Sequence, residues 1–354
     1  MIGAAAVLLA ALPAVIASIP TPANAISATN LLSRIQQSQT IAFTGYAESI
    51  GRLGLPDTRQ FSTLGQLFGD RSQMRIWWRD QQSWRLDTIT VDGETDLHTD
   101  ASGTWTWDYE SNLASFSATP LSIDVRLPNA GDLNPASLGR RLLSQARPAE
   151  ISRLPTRRIA GQRAPGLRLQ PGDSTSTIER VDVWASTAGV PLEVDVYSVG
   201  DSHPSMSTAF LDFDAKAPAE DDVRFAYPAG AQLRNVGRLD LATSVNRSSG
   251  ATPPASLAGL TRNDQIHVGT IGVYGQGVTL FTAAALPQRT ATSLRSQLQT
   301  ATGLTRTEDG IGAGIGPLSL VLTDPDQSGV SWLLSGTVTL RTLWSGAATL
   351  RSRS

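Results

Sequence analysis

The feature that most constrains the fold is a concentration of tryptophan in a region where residue character alternates. Five of the eight tryptophans lie in one short stretch: Trp77, Trp78, Trp84, Trp105 and Trp107. The alternation predicts antiparallel strands rather than helices. Within Thr104–Tyr109 it places Trp105, Trp107 and Tyr109 on one face, and Thr104, Thr106 and Asp108 on the other. Three large rings on one face predict a deep apolar layer beside the sheet, filled by protein alone or by a ligand.

The segment before residue 235 predicts many antiparallel strands and two helices. One amphipathic helix is predicted at Ser27–Gln39, because Leu31, Leu32 and Ile35 share a face. A second is predicted at Asn134–Gln145, with Asn134 as its cap, Pro135 in its first turn, and Leu138, Leu142 and Leu143 pointing inward. The predicted strands are Ile41–Gly51, Arg71–Arg79, Trp84–Val91, Thr104–Tyr109, Leu113–Ala118, a hairpin over Glu179–Ser198 and a closing strand at Ser207–Phe213.

A break in all periodicity separates a second, smaller unit. Thr243–Ser256 is rich in Ser, Gly and Pro. Beyond it we predict one helix in which Ala291, Leu294, Leu298 and Ala301 share a face, and a last helix near Leu343–Leu350. The predicted strands there are Asp264–Gly272, Gly277–Ala283, Leu318–Thr323 and Ser331–Leu340. The predicted class is α+β, with domains at 26–235 and 257–354 and a linker at 236–256.

The first 25 residues predict export from the cytoplasm. Met1–Ala25 has no charged side chain, contains an apolar run and ends in Ala23-Asn24-Ala25, the small-x-small pattern that signal peptidase cleaves. Because no Lys or Arg opens this segment, an uncleaved membrane anchor is the alternative. With no cysteine, the chain predicts neither a disulfide, nor a lipid-modified N-terminus, nor a thiolate metal site. One lysine against 28 arginines indicates a bacterium with a GC-rich genome.

Charge is balanced overall but uneven along the chain. The net charge of −2 does not predict a nucleic-acid partner. Asp87–Glu110 holds seven carboxylates and no Lys or Arg. Eight arginines follow, opposed only by Glu150: Arg140, Arg141, Arg147, Arg153, Arg157, Arg158, Arg163 and Arg168. This arginine block is either a surface for anionic lipid or acidic protein, or simply a solvated face.

Catalytic and metal-binding motifs are missing from the sequence. The histidines His98, His203 and His267 form no metal-binding pair, and Asp201-Ser202-His203 is interpreted as a polar turn. Asp324–Gly329 begins like a calcium loop, but Ser335 stands where that loop needs a glutamate. The glycines of Gly310–Gly316 match no phosphate-binding pattern and are interpreted as a flexible hairpin. We therefore predict a non-enzyme with no cofactor and no metal.

Two interpretations of the aromatic layer stay open on the residues alone. Aromatic side chains most often form core, so the tryptophans can simply fill the space between sheet and helices. Alternatively, an open sheet with aromatic side chains on its concave face forms a pocket for acyl chains. Burial of each acyl methylene contributes about 0.8 kcal/mol, so a few contacts give useful affinity.

Several short motifs resemble those of the lipoprotein-carrier superfamily that includes LolA, LolB and the sigma-factor regulator RseB, also called MucB. Ser83-Trp84-Arg85-Leu86 is similar to the "fRw" strand of that superfamily, and Ser102–Tyr109 to its "dG…lW.Y" strand pair. Gly189–Asp195 is similar to a later hairpin, and Arg224–Gly230 to the closing segment. The match spans about residues 27–233, and RseB-type proteins carry a second, smaller domain as well.

The resemblance implies a half-open antiparallel β-barrel that is plugged by short helices and binds an acyl chain. The residues expected to line that site are Phe43, Trp78, Trp84, Leu86, Trp105, Trp107 and Tyr109. Arg85 takes the position of the arginine that latches the lid helices in the carriers. Asp87 replaces the usual aromatic residue after it, so pairing of Arg85 with a carboxylate is the alternative.

The leading hypothesis is an extracytoplasmic carrier of lipid or acylated protein that serves a membrane transporter of the ABC type. The rival hypothesis is an RseB-like regulator that binds an anti-sigma factor and senses envelope lipoprotein stress, and the two-domain layout favours it. A structural wall-associated protein with a fully plugged aromatic face is the third.

Overall fold

The structure is a computed structural model that describes residues 26–52, 69, 71–90, 93–118, 129–235, 251–263, 271–299 and 303–352. The predicted leader Met1–Ala25 and most of the predicted linker 236–256 lie outside the described residues, so both stay predictions. None of the described helices is long and apolar enough to cross a membrane. The described residues form a twelve-stranded sheet and a six-stranded sheet, besides one two-stranded pair. One apolar cluster packs on the first of these sheets, and two pack on the second.

The first sheet has twelve strands, and all neighbours are antiparallel except β12 and β6. Its strands are β1 (Phe43–Gly51), β2 (Arg71–Asp80), β3 (Ser83–Thr90), β4 (Gly93–Asp100), β5 (Gly103–Asp108), β6 (Leu113–Ala118), β7 (Ile151–Ile159), β8 (Gln162–Leu169), β9 (Ile178–Ala185), β10 (Pro191–Ser198), β11 (Met206–Asp214) and β12 (Gln232–Asn235). The order is β12-β6-β5-β4-β3-β2-β1-β11-β10-β9-β8-β7. The edge strands β12 and β7 do not pair with each other, so the described sheet is open, as the half-barrel expectation requires. The predicted strand Ser207–Phe213 exists as β11, but it lies inside the sheet between β1 and β10 rather than closing it.

Two helices cover one face of this sheet, at the positions that capping residues predict. Helix α1 (Ala28–Gln37) begins after Ser27, whose hydroxyl accepts the Asn30 N–H at 3.2 Å. Helix α2 (Pro135–Leu143) begins after Asn134, whose side chain accepts the Ala136 N–H at 3.0 Å. Side-chain caps of this kind satisfy N–H groups that have no partner within the helix. Short 3₁₀ helices lie beside them at Ser38–Thr40, Ala130–Leu133 and Pro148–Glu150.

The apolar core of the first unit lies between these helices and the sheet. Leu31 and Ile35 of α1 are fully buried, as is Leu143 of α2. They pack with Phe43, Met74 and other apolar side chains of the strands. We call this side of the sheet the helix-covered face.

A segment following β11 crosses the opposite side, which we call the outer face. It contains the one-turn helix α3 (Glu220–Val223) and leads into β12. The Arg79 guanidinium donates to the Pro218 carbonyl at 2.6 Å, and Phe225 stacks on Trp105 with ring centroids 4.8 Å apart. The polypeptide thereby covers part of the outer face before it pairs with β6.

The second sheet has six strands in the order β15-β16-β20-β19-β18-β17. Its elements are β15 (Ile271–Gln276), β16 (Thr279–Leu286), α4 (Gln288–Leu298), β17 (Thr305–Thr307), β18 (Gly310–Ile315), β19 (Leu318–Thr323), β20 (Ser331–Gly336) and α5 (Leu340–Arg351), preceded by the short pair β13 (Ser256–Leu257) and β14 (Leu260–Thr261). The glycine-rich segment forms strand β18, paired with β19. Within it, Gly312 lies so close to the Trp344 ring that a side chain at this position would clash. Of the predicted strand Asp264–Gly272, positions 264–270 lie outside the described residues. The predicted strand Ser331–Leu340 ends earlier, at Gly336.

Backbone hydrogen bonds join the two sheets. The Thr339 N–H donates to the Thr175 carbonyl at 2.8 Å, and the Thr177 N–H donates to the Thr337 carbonyl at 3.1 Å. The Thr177 hydroxyl also donates to the Pro317 carbonyl at 2.5 Å. The turn before β9 is therefore held directly against the second unit.

Candidate functional site

The strand register divides the predicted site residues between the two faces. Phe43 pairs with Trp78, Trp78 with Trp84, and Ile76 with Leu86. These side chains face α1 and α2, because Phe43, Trp78 and Leu86 belong to the buried cluster that contains Leu31 and Leu143. The neighbouring positions face the other way, since successive side chains of a strand alternate. Arg85 pairs with His98 and His98 with Trp105, while Asp96 pairs with Trp107, so these lie on the outer face.

On the helix-covered face, three rings form a continuous stack. Phe43 and Trp78 have centroids 6.0 Å apart and planes at 9°, and Trp78 and Trp84 have centroids 6.0 Å apart and planes at 15°. The Trp78 indole N–H donates to the Gln39 carbonyl at 3.2 Å, which satisfies the polar end of this ring. Phe43 is 0% exposed, Leu86 1% and Trp78 6%, so α1 and α2 fill this layer.

A buried arginine faces the same stack. The guanidinium carbon of Arg140, on α2, lies 5.0 Å from the centroid of the Trp78 ring. Arg140 is 9% exposed, and its Nη1 has no hydrogen-bond partner among the described residues. Burial lowers the pKa of Arg140 to about 10, and none of the described carboxylates opposes this effect. Sequence reasoning placed Arg140 in a charged block and did not single it out.

The outer face carries the other aromatic residues of the predicted site. The Trp105 ring lies between Phe116 and Phe225, each with its centroid 4.8 Å away. Trp107 is buried and makes an edge contact with Tyr109, which lies in the turn after β5 and is 56% exposed. The predicted alternation within Thr104–Tyr109 is thus correct. The structure does not bring the seven predicted site residues together: Phe43, Trp78, Trp84 and Leu86 lie on the face opposite to Trp105, Trp107 and Tyr109. The acyl site itself stays a prediction.

Arg85 belongs to a buried charge cluster on the outer face. Its Nε and Nη2 donate to the two carboxylate oxygens of Asp87 at 2.6 and 2.8 Å, and Nη2 lies 3.4 Å from Oδ2 of Asp96. Its guanidinium carbon lies 4.8 Å from the centroid of the Trp77 ring. The latch expected by resemblance would place this arginine against the lid helices. Instead, Arg85 lies on the side of the sheet away from α1 and α2, and the alternative of a carboxylate partner is correct.

Two carboxylates share this one cation. Asp87 is 0% exposed and Asp96 3%, and within the described part of the chain Oδ1 of Asp96 has no hydrogen-bond partner. Burial, followed by repulsion from Asp87, raises the pKa of Asp96 to about 7.

Burial also lowers the pKa of His98, whose Nδ1 lies 3.0 Å from the Val223 carbonyl and therefore donates to it. Atoms of Asp87, Asp96 and His98 lie within 4.8 Å of one another, a spacing that one metal ion can bridge. Arg85 already occupies both oxygens of Asp87, so the described arrangement is that of an ion-paired cluster.

The other motifs have ordinary structural roles. Asp201-Ser202-His203 lies exposed in a turn, where the Ser202 hydroxyl is 3.0 Å from Nδ1 of His203. Asp326 accepts the N–H groups of Ser328 and Val330, each at 2.9 Å, which closes the turn before β20. His267 lies outside the described residues.

A groove of about 330 Å³ lies between the two units. Gln145, Arg147 and Glu150 line it from the first unit, and Gly277 and Thr279 from the second. The Gly277 N–H donates to the side-chain oxygen of Gln145 at 2.6 Å across one end of this groove. Its lining is mixed polar and apolar, unlike the ring stack under α1 and α2.

Comparison with known proteins shows the fold. No family model matches the chain, and no curated protein matches it by sequence. Among solved structures it is similar to MucB of Pseudomonas aeruginosa in complex with MucA, with 18% identity, a TM-score of 0.50, and coverage of 90% of this chain and 96% of that one. A second MucB structure, in complex with MucA(peri), gives 17% identity, a TM-score of 0.50, and coverage of 90% and 97%. A LolA superfamily protein from Nitrosomonas europaea gives 13% identity, a TM-score of 0.27, and coverage of 58% and 100%.

The resemblance inferred from sequence motifs is therefore confirmed for the fold. The chain has a MucB-like fold, and this likeness includes both sheets.

Proposed function

We propose that the protein is a non-enzymatic, extracytoplasmic regulator of the RseB type, which binds a segment of a membrane-bound anti-sigma factor. The observation that carries this proposal is the extent of the likeness to MucB, which spans 90% of this chain and 96% of MucB. Both units of the fold are thus present, and MucB was solved in complex with MucA. A carrier of the LolA kind requires the first unit only.

The groove between the units is the proposed place for the partner segment. It exists only where both units meet, and it offers hydrogen-bonding groups together with apolar surface. Arg147 lines it with its side chain 58% exposed, so an acidic partner residue can approach its guanidinium. Arginine side chains are a common means of recognising acidic peptide motifs.

The ring stack supports the rival function, a LolA-like carrier. An acyl chain in this protein would lie against Phe43, Trp78, Trp84 and Leu86, the four predicted residues on the helix-covered face. Since α1 and α2 bury Phe43, Trp78 and Leu86, and Trp84 is half-buried beside them, a carrier must first move both helices away. The regulator needs no such movement, and for this reason we favour it.

Direct binding tests the proposal. Immobilised mature protein, residues 26–354, would be exposed by biolayer interferometry to the extracytoplasmic segments of the anti-sigma factors that the same genome encodes. We expect one segment to bind, and Arg147→Glu to weaken that binding. Arg158→Glu is the matched control, because Arg158 is exposed on β7 away from the groove.

Native mass spectrometry of the protein purified from its own envelope tests the rival function, the carrier. A lipid or acylated peptide retained at one per protein, with no anti-sigma segment bound, would overturn the regulator in favour of the carrier.

A further inference from the structure

Three side chains of the charge cluster on the outer face are of types that bind metal ions. Asp87 lies on β3 and pairs directly with Asp96 on β4, and His98 lies two residues further along β4. All three are buried, and one ligand atom from each lies within 4.8 Å of the other two. Two carboxylate oxygens and one imidazole nitrogen form a ligand set that suits first-row divalent metal ions such as Zn²⁺.

The cluster has one carboxylate more than its single guanidinium can pair closely. Arg85 donates to Asp87 through two hydrogen bonds, at 2.6 and 2.8 Å, whereas its contact with Asp96 is 3.4 Å long. Asp96 is 3% exposed, and its Oδ1 has no hydrogen-bond partner among the described residues. A buried carboxylate oxygen without a partner is unfavourable, so this one indicates a cation that the described chain does not supply.

The orientation of His98 is that of a metal-binding histidine. Its Nδ1 donates to the Val223 carbonyl at 3.0 Å, so in the neutral ring Nε2 carries the free lone pair. Histidines that bind metals almost always donate through their other ring nitrogen to a carbonyl or a carboxylate, which fixes the ring. Arg85 holds Asp87 in a similar way, and a carboxylate that accepts a paired arginine still has lone pairs for a metal ion. The ion pair is therefore compatible with metal binding.

A cavity of about 110 Å³ adjoins His98. Ser83 and Thr99 line it from β3 and β4, and Val223 and Phe225 line it from the segment that crosses the outer face. A tetrahedral zinc ion with three protein ligands takes a water molecule as its fourth ligand. The cavity has room for that water.

We propose that Asp87, Asp96 and His98 form a binding site for one first-row divalent metal ion, with Zn²⁺ as the expected occupant. The ion supplies the second positive charge that the two buried carboxylates require. The imidazole nitrogen favours Zn²⁺ over Mg²⁺ and Ca²⁺, which prefer oxygen ligands and a larger number of them. The site lies on the outer face of the first sheet, so the proposal does not depend on the regulatory function or on the groove between the units.

Isothermal titration of the mature protein, residues 26–354, tests the site. The protein would carry no affinity tag, and it would be treated with EDTA, dialysed and titrated at neutral pH with ZnCl₂, MgCl₂ and CaCl₂. We expect one Zn²⁺ to bind per chain, and Mg²⁺ and Ca²⁺ to bind at least about tenfold more weakly.

Matched variants identify the ligands. Asp96→Asn and His98→Gln should each weaken zinc binding by at least about tenfold, since the loss of a supporting residue alone commonly costs that much. Asp100→Asn and His203→Gln are the controls, because both residues are exposed and lie outside the cluster. Both controls should bind zinc like the native protein. Asparagine has the shape of the protonated Asp96 carboxyl, so Asp96→Asn should fold even if His98→Gln does not.

Anomalous X-ray scattering at the zinc edge, from crystals of the native protein, locates the ion without any variant. We expect a peak between Asp96 and His98. Three results would overturn the proposal: the absence of saturable zinc binding, an unchanged zinc affinity in Asp96→Asn, or an anomalous peak only at another place, such as His203. None of these results bears on whether an anti-sigma segment binds in the groove.

Discussion

Asp96→Asn tests whether the charge cluster on the outer face makes stability depend on pH. Asp96 shares the Arg85 guanidinium with Asp87, and its pKa is raised from an ordinary value of 3.8 to about 7, first by burial and then by repulsion from Asp87. In the unfolded chain Asp96 loses its proton near its ordinary pKa. The folded protein keeps that proton up to about pH 7.

Between these two values the folded state binds one proton more than the unfolded state. The free energy of unfolding therefore falls as pH rises, by about 1.4 kcal/mol per pH unit where the difference is complete. From pH 5 to pH 7 the loss amounts to about 2 kcal/mol, and above the folded pKa it becomes constant. Asparagine has the shape of the protonated acid and does not titrate. Between pH 5 and pH 7, the free energy of unfolding of Asp96→Asn should therefore rise by about 2 kcal/mol relative to that of the native protein.

Urea unfolding at pH 5, 6, 7 and 8, followed by tryptophan fluorescence, measures this difference. The signal reports mainly on the first sheet, which holds six of the eight tryptophans. Asp212→Asn is the control, because Asp212 is exposed on β11 of the same sheet. Parallel pH profiles for the native protein and Asp96→Asn would refute the reasoning and show that Asp96 is ionised in the folded state at neutral pH.

Two further substitutions test the latch role expected of Arg85 and the packing of α2 against β10. Arg85→Leu leaves Asp87 and Asp96 buried without their cation, so we expect a loss of about 3–5 kcal/mol at pH 8 in urea unfolding. The same change should leave the exchange rate of a bound fluorescent fatty acid unaltered, since Arg85 lies away from α1 and α2. Faster exchange in stopped-flow measurements would instead support the latch role of Arg85. Gly139→Ala adds a methyl 2.7 Å from Cβ of Pro191, so α2 must shift from β10 at a cost of about 1–3 kcal/mol. A melting temperature equal to that of the native protein would show that α2 has room to move.

Strand positions were predictable where one face is apolar and the other is polar. Leu113–Ala118 was predicted with the bounds that β6 has in the structure, and α2 with the cap that Asn134 provides. Strand β4 was missed, because its sequence Gly93–Asp100 contains a single large apolar residue, Leu97. Its other buried side chains are Asp96, which lies beside Arg85 in the charge cluster, and His98, which donates to the Val223 carbonyl. A polar strand that is buried through such partners carries no alternation of hydrophobicity.

The distribution of the aromatic residues between the two faces of the first sheet was predictable only in part. Trp77 and Trp78 are adjacent, so the sequence alone requires them to face opposite sides of a strand. The relation of Trp84 to Trp105 depends instead on the pairing of β3 with β4 and of β4 with β5. Because β4 was not predicted, that register was inaccessible, and the aromatic residues of the predicted site were all assigned to one surface.

Arg140 shows that the positions of leucine residues alone do not identify the buried face of a helix. The sequence predicted Leu138, Leu142 and Leu143 as the inward positions of α2, but Leu138 and Leu142 are half-buried. The buried face is instead formed by Ala136, Gly139, Arg140 and Leu143, which are spaced at three and four residues. Gly139 approaches Pro191 and Val194 so closely that this face must lie against β10. The position of Arg140 on the helix, rather than any partner, therefore explains its burial. The small residues Ala136 and Gly139 on the same face are the signal in the sequence that this charged residue lies inside.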